Sequence, residues 1–173
     1  MRKVIIIGNA GSGKTTFAKK LHQKTNLPLV HLDKIYWIGE WEHISREEFD
    51  AKLQKELEKE QWIIDGNYDR TISHRLKYCD TVFYFELPRI VCLWGSTQRV
   101  FKNYGKCRDD MGGNCIERFD KRKFDLYKMI LSFGKSKRLK YRQLLKSFPD
   151  KNIVIFKSRR QANAYLEKYK LNT

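Results

Sequence analysis

The chain alternates short runs of apolar residues with longer amphipathic stretches, and that alternation predicts its elements. Lys3-Val4-Ile5-Ile6-Ile7 is a β-branched run that reads as a buried strand, and Phe17, Ala18 and Leu21 follow it at helical spacing. Leu29-Val30-His31-Leu32 predicts a second strand ending at Asp33. After an aromatic segment from Tyr36-Trp37 to Trp41, Ser45-Arg46-Glu47-Glu48 forms a capping box, so a helix begins there with Phe49, Leu53 and Leu57 on one face. Trp62-Ile63-Ile64 is a third strand, broken by Asp65-Gly66-Asn67. Thr81-Val82-Phe83-Tyr84-Phe85 is a fourth, stopped by Pro88, and its unbroken apolarity implies burial on both faces. Asn152-Ile153-Val154-Ile155-Phe156 is the fifth.

Between the fourth and fifth strands, residues 89–103 read as helix. Residues 104–122 hold glycines and mixed charge without a period, and are expected to form a mobile lid. Helical spacing returns over 123–148 through Phe124, Tyr127, Ile130, Leu131, Leu144 and Leu145, with Gly134 as a break. A last helix over about 159–169 carries Ala162, Leu166 and Tyr169. Strands alternating with helices predict one α/β domain with a parallel sheet, right-handed crossovers and ligands at the strands' C-terminal ends.

Length and charge narrow the picture further. The 173 residues suit a single domain with a substantial core. No apolar run approaches the ~20 residues that span a bilayer. The chain enters its first strand without an apolar secretory segment, which predicts a cytoplasmic protein with no membrane contact. Cys79, Cys92, Cys107 and Cys115 lack C-x-x-C spacing, as expected of reduced thiols. Cys107 and Cys115 flank the lid, but two thiols are too few for a four-ligand structural metal site. The net charge of +16 is uneven: residues 1–98 hold 15 basic and 13 acidic side chains, residues 99–173 hold 21 and 7. Such a field collects phosphorylated small molecules or nucleic acid, and charge alone does not choose between them.

The candidate chemistry starts at Gly8-Asn9-Ala10-Gly11-Ser12-Gly13-Lys14-Thr15, a G-x-x-x-x-G-K-[ST] loop between a strand and a helix. Its glycines let successive N–H groups point into one concavity, and the following helix adds its positive end, so phosphate oxygens are the natural guest. Lys14 is placed to reach β- and γ-phosphates, Thr15 to complete the shell of a Mg²⁺ ion. Asp33 is a candidate to accept a proton from, or orient, the group that attacks the γ-phosphate, with a turn or cap as its alternative role. Asp65 could hold the water shell of Mg²⁺ or contact the acceptor, or again simply turn the chain. Tyr36, Trp37 and Trp41 could stack on a planar acceptor or cap the core, and Asn67 and Arg70 are further acceptor contacts. Guanidinium forks suit the charge of phosphoryl transfer, and Arg99, Arg108, Arg118, Arg138 and Arg142 supply them. Arg159 and Arg160 follow the fifth strand, where a guanidinium could stack on a nucleotide base or decorate a helix start.

Taken together, GNAGSGKTT, the Leu32-Asp33 strand end, the segment IIDGNYDRT over 63–71, Arg99 and Arg108 resemble the adenylate kinase-like branch of P-loop proteins. More narrowly, the LD-x-x-x-W segment from Leu32 to Trp37 and the I-DGNY segment from Ile64 to Tyr68 are similar to bacterial topology modulation proteins. The resemblance covers nearly the whole chain. It implies a three-layer P-loop nucleoside triphosphate hydrolase fold, with a five-stranded parallel sheet in the order 2-3-1-4-5 and a basic lid. It implies that Gly8 to Thr16, Thr16 included, bind nucleotide phosphates, that Asp33 faces the acceptor, and that Asp65, Gly66 and Arg70 match the DGFPR segment of adenylate kinases with one extra residue. Arg108-Asp109-Asp110 is similar to the start of that branch's second lid strand. Two departures stand out: Asn103 replaces a second lid-entry arginine, and DGFPR itself is absent. The expectation is an ATP- and Mg²⁺-dependent phosphotransferase acting on a small molecule or nucleotide. The alternative is an ATP-regulated nucleic-acid-binding protein that affects DNA topology.

Overall fold

In the computed structural model, which describes residues 1–168, the five apolar runs pair as one parallel sheet. The strands are β1 (Lys3–Gly8), β2 (Leu29–His31), β5 (Trp62–Asp65), β6 (Thr81–Phe85) and β7 (Asn152–Phe156). They lie in the order β2-β5-β1-β6-β7, which is 2-3-1-4-5 when the sheet strands alone are numbered. Strand β1 is central, with Ile5 opposite Ile64 on one side and Val82 on the other. Helices α1 (Lys14–Thr25), α3 (Arg46–Glu58), α4 (Ile72–Tyr78), α5 (Arg89–Lys102), α6 (Lys121–Ser132), α7 (Lys135–Lys146) and α8 (Arg159–Lys168) cover the sheet. Two short elements, α2 (Leu32–Tyr36) and the hairpin of β3 (Trp37–Gly39) and β4 (Glu42–His43), project beside it. Tyr169, expected on the last helix, lies outside the described residues.

The alternation along β1 divides the core. Val4 and Ile6 pack with Phe17, Leu21, Phe83, Phe85, Ala162 and Leu166, while Ile5 and Ile7 pack with Phe49, Leu53, Leu76 and Tyr84. Both faces are therefore dry, which is why β1, β5 and β6 needed continuous rather than alternating apolarity. Phe17 meets the rings of Phe83, Phe85 and Phe156 at 4.9–5.4 Å. Burying a side chain of that size contributes about 1.5–3 kcal/mol, so this cluster clamps α1, and the loop ahead of it, to the sheet.

Three boundaries differ from the pattern. Leu32 leaves the second strand because His31 already faces Asp65, the last residue of β5, and no ladder partner remains beyond it. It opens α2, which places Asp33 in that helix's first turn. The aromatic segment folds as a hairpin whose turn, Glu40-Trp41, takes positive φ at both residues, 41° and 66°. A primed turn of that kind usually calls for Asn-Gly, and its absence hid the hairpin. The capping box is half made: Ser45 Oγ accepts from the Glu48 amide at 3.1 Å, but the Glu48 carboxylate pairs with Lys52. Asp120 accepts from the Lys123 amide, so α6 starts at Lys121 and takes the last two residues of the expected lid. Phe133-Gly134 separates α6 from α7.

Candidate active site

The glycine-rich loop runs from the end of β1 into α1, and its shape is fixed from behind. Gly11 has φ +74°, and a Cβ there would lie 2.1 Å from the Cys92 carbonyl oxygen of α5, so only glycine fits. Arg159 donates to the carbonyl oxygens of Gly11 (2.8 Å) and Ser12 (3.3 Å), a bracing contact that the base-stacking expectation did not include. Asn9 is buried and donates to the Ile130 carbonyl, while its own carbonyl accepts from Lys14 Nζ at 2.9 Å. Gly13 precedes α1 in a left-handed conformation and offers no side-chain cap. The first amides of α1 are thus left open toward the cleft, where an anion would satisfy them. Ala10, Thr15 and Thr16 complete the cleft-facing rim.

Opposite the loop stand the ends of β2 and β5. Asp65 is buried; His31 Nδ1 lies 3.1 Å from its Oδ2, and its Oδ1 has no hydrogen-bond partner. An orphaned carboxylate oxygen near Lys14, in the cleft that Thr15 also lines, suits a cation or its water shell. Among the described residues no group of three or more His, Cys, Asp or Glu side chains could hold a metal ion. Asp33 is enclosed except toward the cleft, and Tyr68 donates to its Oδ1 at 2.8 Å. Desolvation raises the Asp33 carboxyl above its ordinary range, outweighing the Tyr68 hydrogen bond and Arg108, which act the other way. Burial lowers the Lys14 ammonium, outweighing Asp65 and Asp33.

The loop after β5 is held by a residue the sequence did not single out. Arg75, fully buried, donates to the carbonyl oxygens of Gly66 and Asn67 and to Thr71 Oγ1. Burial pushes its guanidinium down to about 10. Tyr68 at the turn is left-handed, with φ 39°, a strained setting for a non-glycine residue and one that aims its ring at Phe49 and its hydroxyl at Asp33. Replacing Arg75 by Met strands three acceptors, so we expect a loss of about 3 kcal/mol and a Tm fall of roughly 6–12 °C by thermal melting.

The other expected acceptor contacts are partly occupied. Asn67 Oδ1 accepts from the Gly8 amide at 2.7 Å and ties the two loops together. Arg70 is exposed and holds Asp50 with both nitrogens at 2.7 Å, so its fork is already filled. Tyr36 lies within a ring cluster, 4.7 Å from His43 and 5.2 Å from Tyr68, while Trp37 meets Trp41 edge-on at 5.5 Å. The aromatic segment therefore caps the core and walls the cleft at once.

Residues 103–120 cross the mouth of this cleft, whose volume is about 1330 Å³. They carry no long element, only bridges pairing Tyr104 with Glu117 and Cys107 with Ile116. The segment lies against the hairpin: Gly112 donates to the Asp33 carbonyl, Trp41 Nε1 donates to the Ile116 carbonyl, and a Cβ on Gly112 would lie 1.9 Å from the Trp37 oxygen. Arg99 of α5 lines the cleft, as do Arg108 and Arg118 of the segment itself. Arg138 and Arg142 do not join them. They sit on α7, where Arg142 holds Glu86 at 2.5 and 2.9 Å. The sequence also gave no sign of Glu117 and Lys123, a buried pair six residues apart that lies between Arg99 and Arg108.

The sequence matches no family model and no curated protein. Its fold does match solved structures. A shikimate kinase from Acinetobacter baumannii in complex with shikimate aligns with TM-score 0.58 and 15% identity, over 97% of this chain and 90% of that one. A shikimate kinase from Bacteroides thetaiotaomicron aligns with TM-score 0.55 and 16% identity over 95% and 94%. An unliganded sugar kinase from Janibacter sp. HTCC2649 gives 0.52 and 14% over 97% and 91%. At these identities the likeness is one of fold, and it agrees with the three-layer P-loop architecture and its five-stranded sheet. No helix among the described residues is long and apolar enough to cross a membrane.

Proposed function

We propose that this chain is an ATP-dependent phosphotransferase that moves a terminal phosphoryl group to the hydroxyl of a small acceptor. The observation that carries the reading is the meeting in one cleft of an open phosphate loop with Lys14, a desolvated Asp33 and the arginines Arg99 and Arg108. The amides of Gly8 to Thr16 hold phosphate oxygens, and the Lys14 ammonium draws charge toward the bond that breaks. Thr15 and, through water, the orphaned Asp65 oxygen would hold Mg²⁺, which when bound neutralises phosphate oxygens. Asp33 takes the proton of the acceptor hydroxyl as its oxygen attacks phosphorus and the nucleoside diphosphate leaves; its raised carboxyl makes it the stronger base for that step. Arg99 and Arg108 meet the charge that spreads over the transferred group, and the covering segment keeps out water, so hydrolysis is a slow side reaction.

The acceptor is best sought among ring compounds bearing hydroxyls, since the fold neighbours are shikimate and sugar kinases and DGFPR is missing. The likeness to topology modulation proteins fits this reading, because that branch carries the same loop. Of the basic second half, Arg99, Arg108 and Lys123 face internal carboxylates in the cleft, which favours a small anionic guest over a nucleic-acid surface. The test is a coupled assay of ADP release from Mg·ATP with purified protein against sugars, hydroxy acids including shikimate, and nucleotides. One acceptor should raise release well above the water rate with little salt dependence. No acceptor, combined with DNA affinity that falls steeply with salt, would replace this reading by the nucleic-acid one.

A further inference from the structure

Glu117 occupies the centre of a cluster with more cations than carboxylates. It is 1% exposed, and its Oε2 lies 2.5 Å from Lys123 Nζ. Its Oε1 faces Arg108 Nε at 3.3 Å and Arg99 Nε at 3.7 Å, and none of these last three atoms has a hydrogen-bond partner. Arg108 also approaches Asp110 at 3.5 Å. Within ion-pair distance three cations thus share two carboxylates, with the Asp33 charge acting on both arginines from further off, and the sharing is unequal. Lys123 holds Glu117 at charge-assisted hydrogen-bond distance, whereas both arginines stop short of the ~2.7–2.9 Å that such a bond needs. All five side chains line the cleft. Burial acting alone would raise the Glu117 carboxyl; Lys123, Arg99 and Arg108 hold it below the ordinary range, so it is anionic at neutral pH.

Like charges gathered without an anion would push the covering segment apart. Loose arginine contacts around a tight lysine contact describe a placeholder: the carboxylate is strong enough to assemble the arginines and too distant to satisfy them. We propose that Glu117 is a positioning residue acting as a built-in counter-anion, which gathers Arg99 and Arg108 over the cleft in the empty protein and yields them to the terminal phosphoryl group of a bound nucleoside triphosphate. Lys123, on α6, keeps the carboxylate after the arginines leave. The proposal rests on the phosphotransferase reading, and it makes Glu117 a competitor of the γ-phosphate.

Competition predicts opposite signs for the two ends of the pair. Calorimetric titration of Mg·ATP and Mg·ADP into the wild type, Glu117→Gln and Lys123→Gln measures both. Glu117→Gln should bind Mg·ATP about tenfold more tightly, the size of a modest screened charge effect, with a clearly smaller gain for Mg·ADP. Lys123→Gln should weaken Mg·ATP by about tenfold, because the freed carboxylate turns fully to the arginines. A role in packing alone would weaken both nucleotides together in either variant. Unchanged or weaker Mg·ATP binding by folded Glu117→Gln overturns the proposal. If Glu117→Gln does not fold, Lys123→Gln decides, and unchanged Mg·ATP affinity there overturns it equally. A wild type that binds neither nucleotide removes the phosphotransferase reading along with the proposal, whereas nucleotide binding without the opposite shifts removes the proposal alone.

Discussion

Lys14→Met is expected to lower phosphoryl transfer by about 10²–10³-fold or more, the usual effect of deleting one donor aimed at developing charge. It is expected at the same time to raise the melting temperature of the nucleotide-free protein at pH 7. The sign follows from burial. The folded state holds the Lys14 proton less tightly than the unfolded chain does, so the charged ammonium costs stability wherever it is protonated in both states. That cost fades as the pH rises past the lowered folded value toward the unfolded lysine's 10.5. Melting curves of both proteins at pH 7 and pH 10, with a transfer assay on the same samples, check the prediction. A variant that is less stable at pH 7, or a gain that persists undiminished at pH 10, contradicts the electrostatic account. Wild-type activity retained by the variant removes Lys14 from the reaction.

Asp33→Asn should lower transfer by about 10²–10⁴-fold, the range for loss of a positioned proton acceptor, while leaving the affinity for Mg·ATP nearly unchanged. It should also stabilise the fold. Desolvation raises the Asp33 carboxyl above its unfolded 3.8, so the folded state favours the protonated form. Wild-type stability therefore falls as the pH rises from 3.8 through the folded value, and ionised Asp33 works against the fold above it. Asparagine keeps an oxygen for the Tyr68 hydroxyl and carries no charge to bury. The two proteins should melt together well below pH 3.8 and separate above the folded value, with the variant higher. Equal melting temperatures at pH 7 would place Asp33 in a polar setting unlike the one described. Lys14 and Asp33 share a property common at reacting centres: burial disfavours the charged form of each.

Much of this molecule was legible along the chain because its elements announce themselves locally. The central strands β1, β5 and β6 are largely β-branched or aromatic runs buried on both faces, and the phosphate loop is a contiguous motif whose glycines answer a local backbone demand. The contacts that escaped notice run to backbone oxygens or to side chains that no local pattern singles out. Arg75 works through backbone oxygens eight and nine residues off, and no pattern of side chains marks a carbonyl as needing a donor. Arg159 braces Gly11 across 148 residues, and Arg70 is taken up by Asp50, so their donors were committed in ways that spacing does not encode. The hairpin at Glu40-Trp41 was hidden because packing of its rings, rather than turn chemistry, holds the positive φ values.

The sequence by itself determined five strands alternating with helices in a parallel α/β sheet, and a loop able to cradle phosphate, since periodicity and glycine freedom are properties of neighbouring residues; the layers and the strand order came only with the resemblance to P-loop proteins. Only the tertiary structure decided which cations face the cleft and what they already hold. Arg99, Arg108 and Lys123 surround Glu117, while Arg138 and Arg142 stay on α7. Charge interactions depend on distance and on the dielectric around each pair, and both are fixed only when α5, the covering segment and α6 pack together.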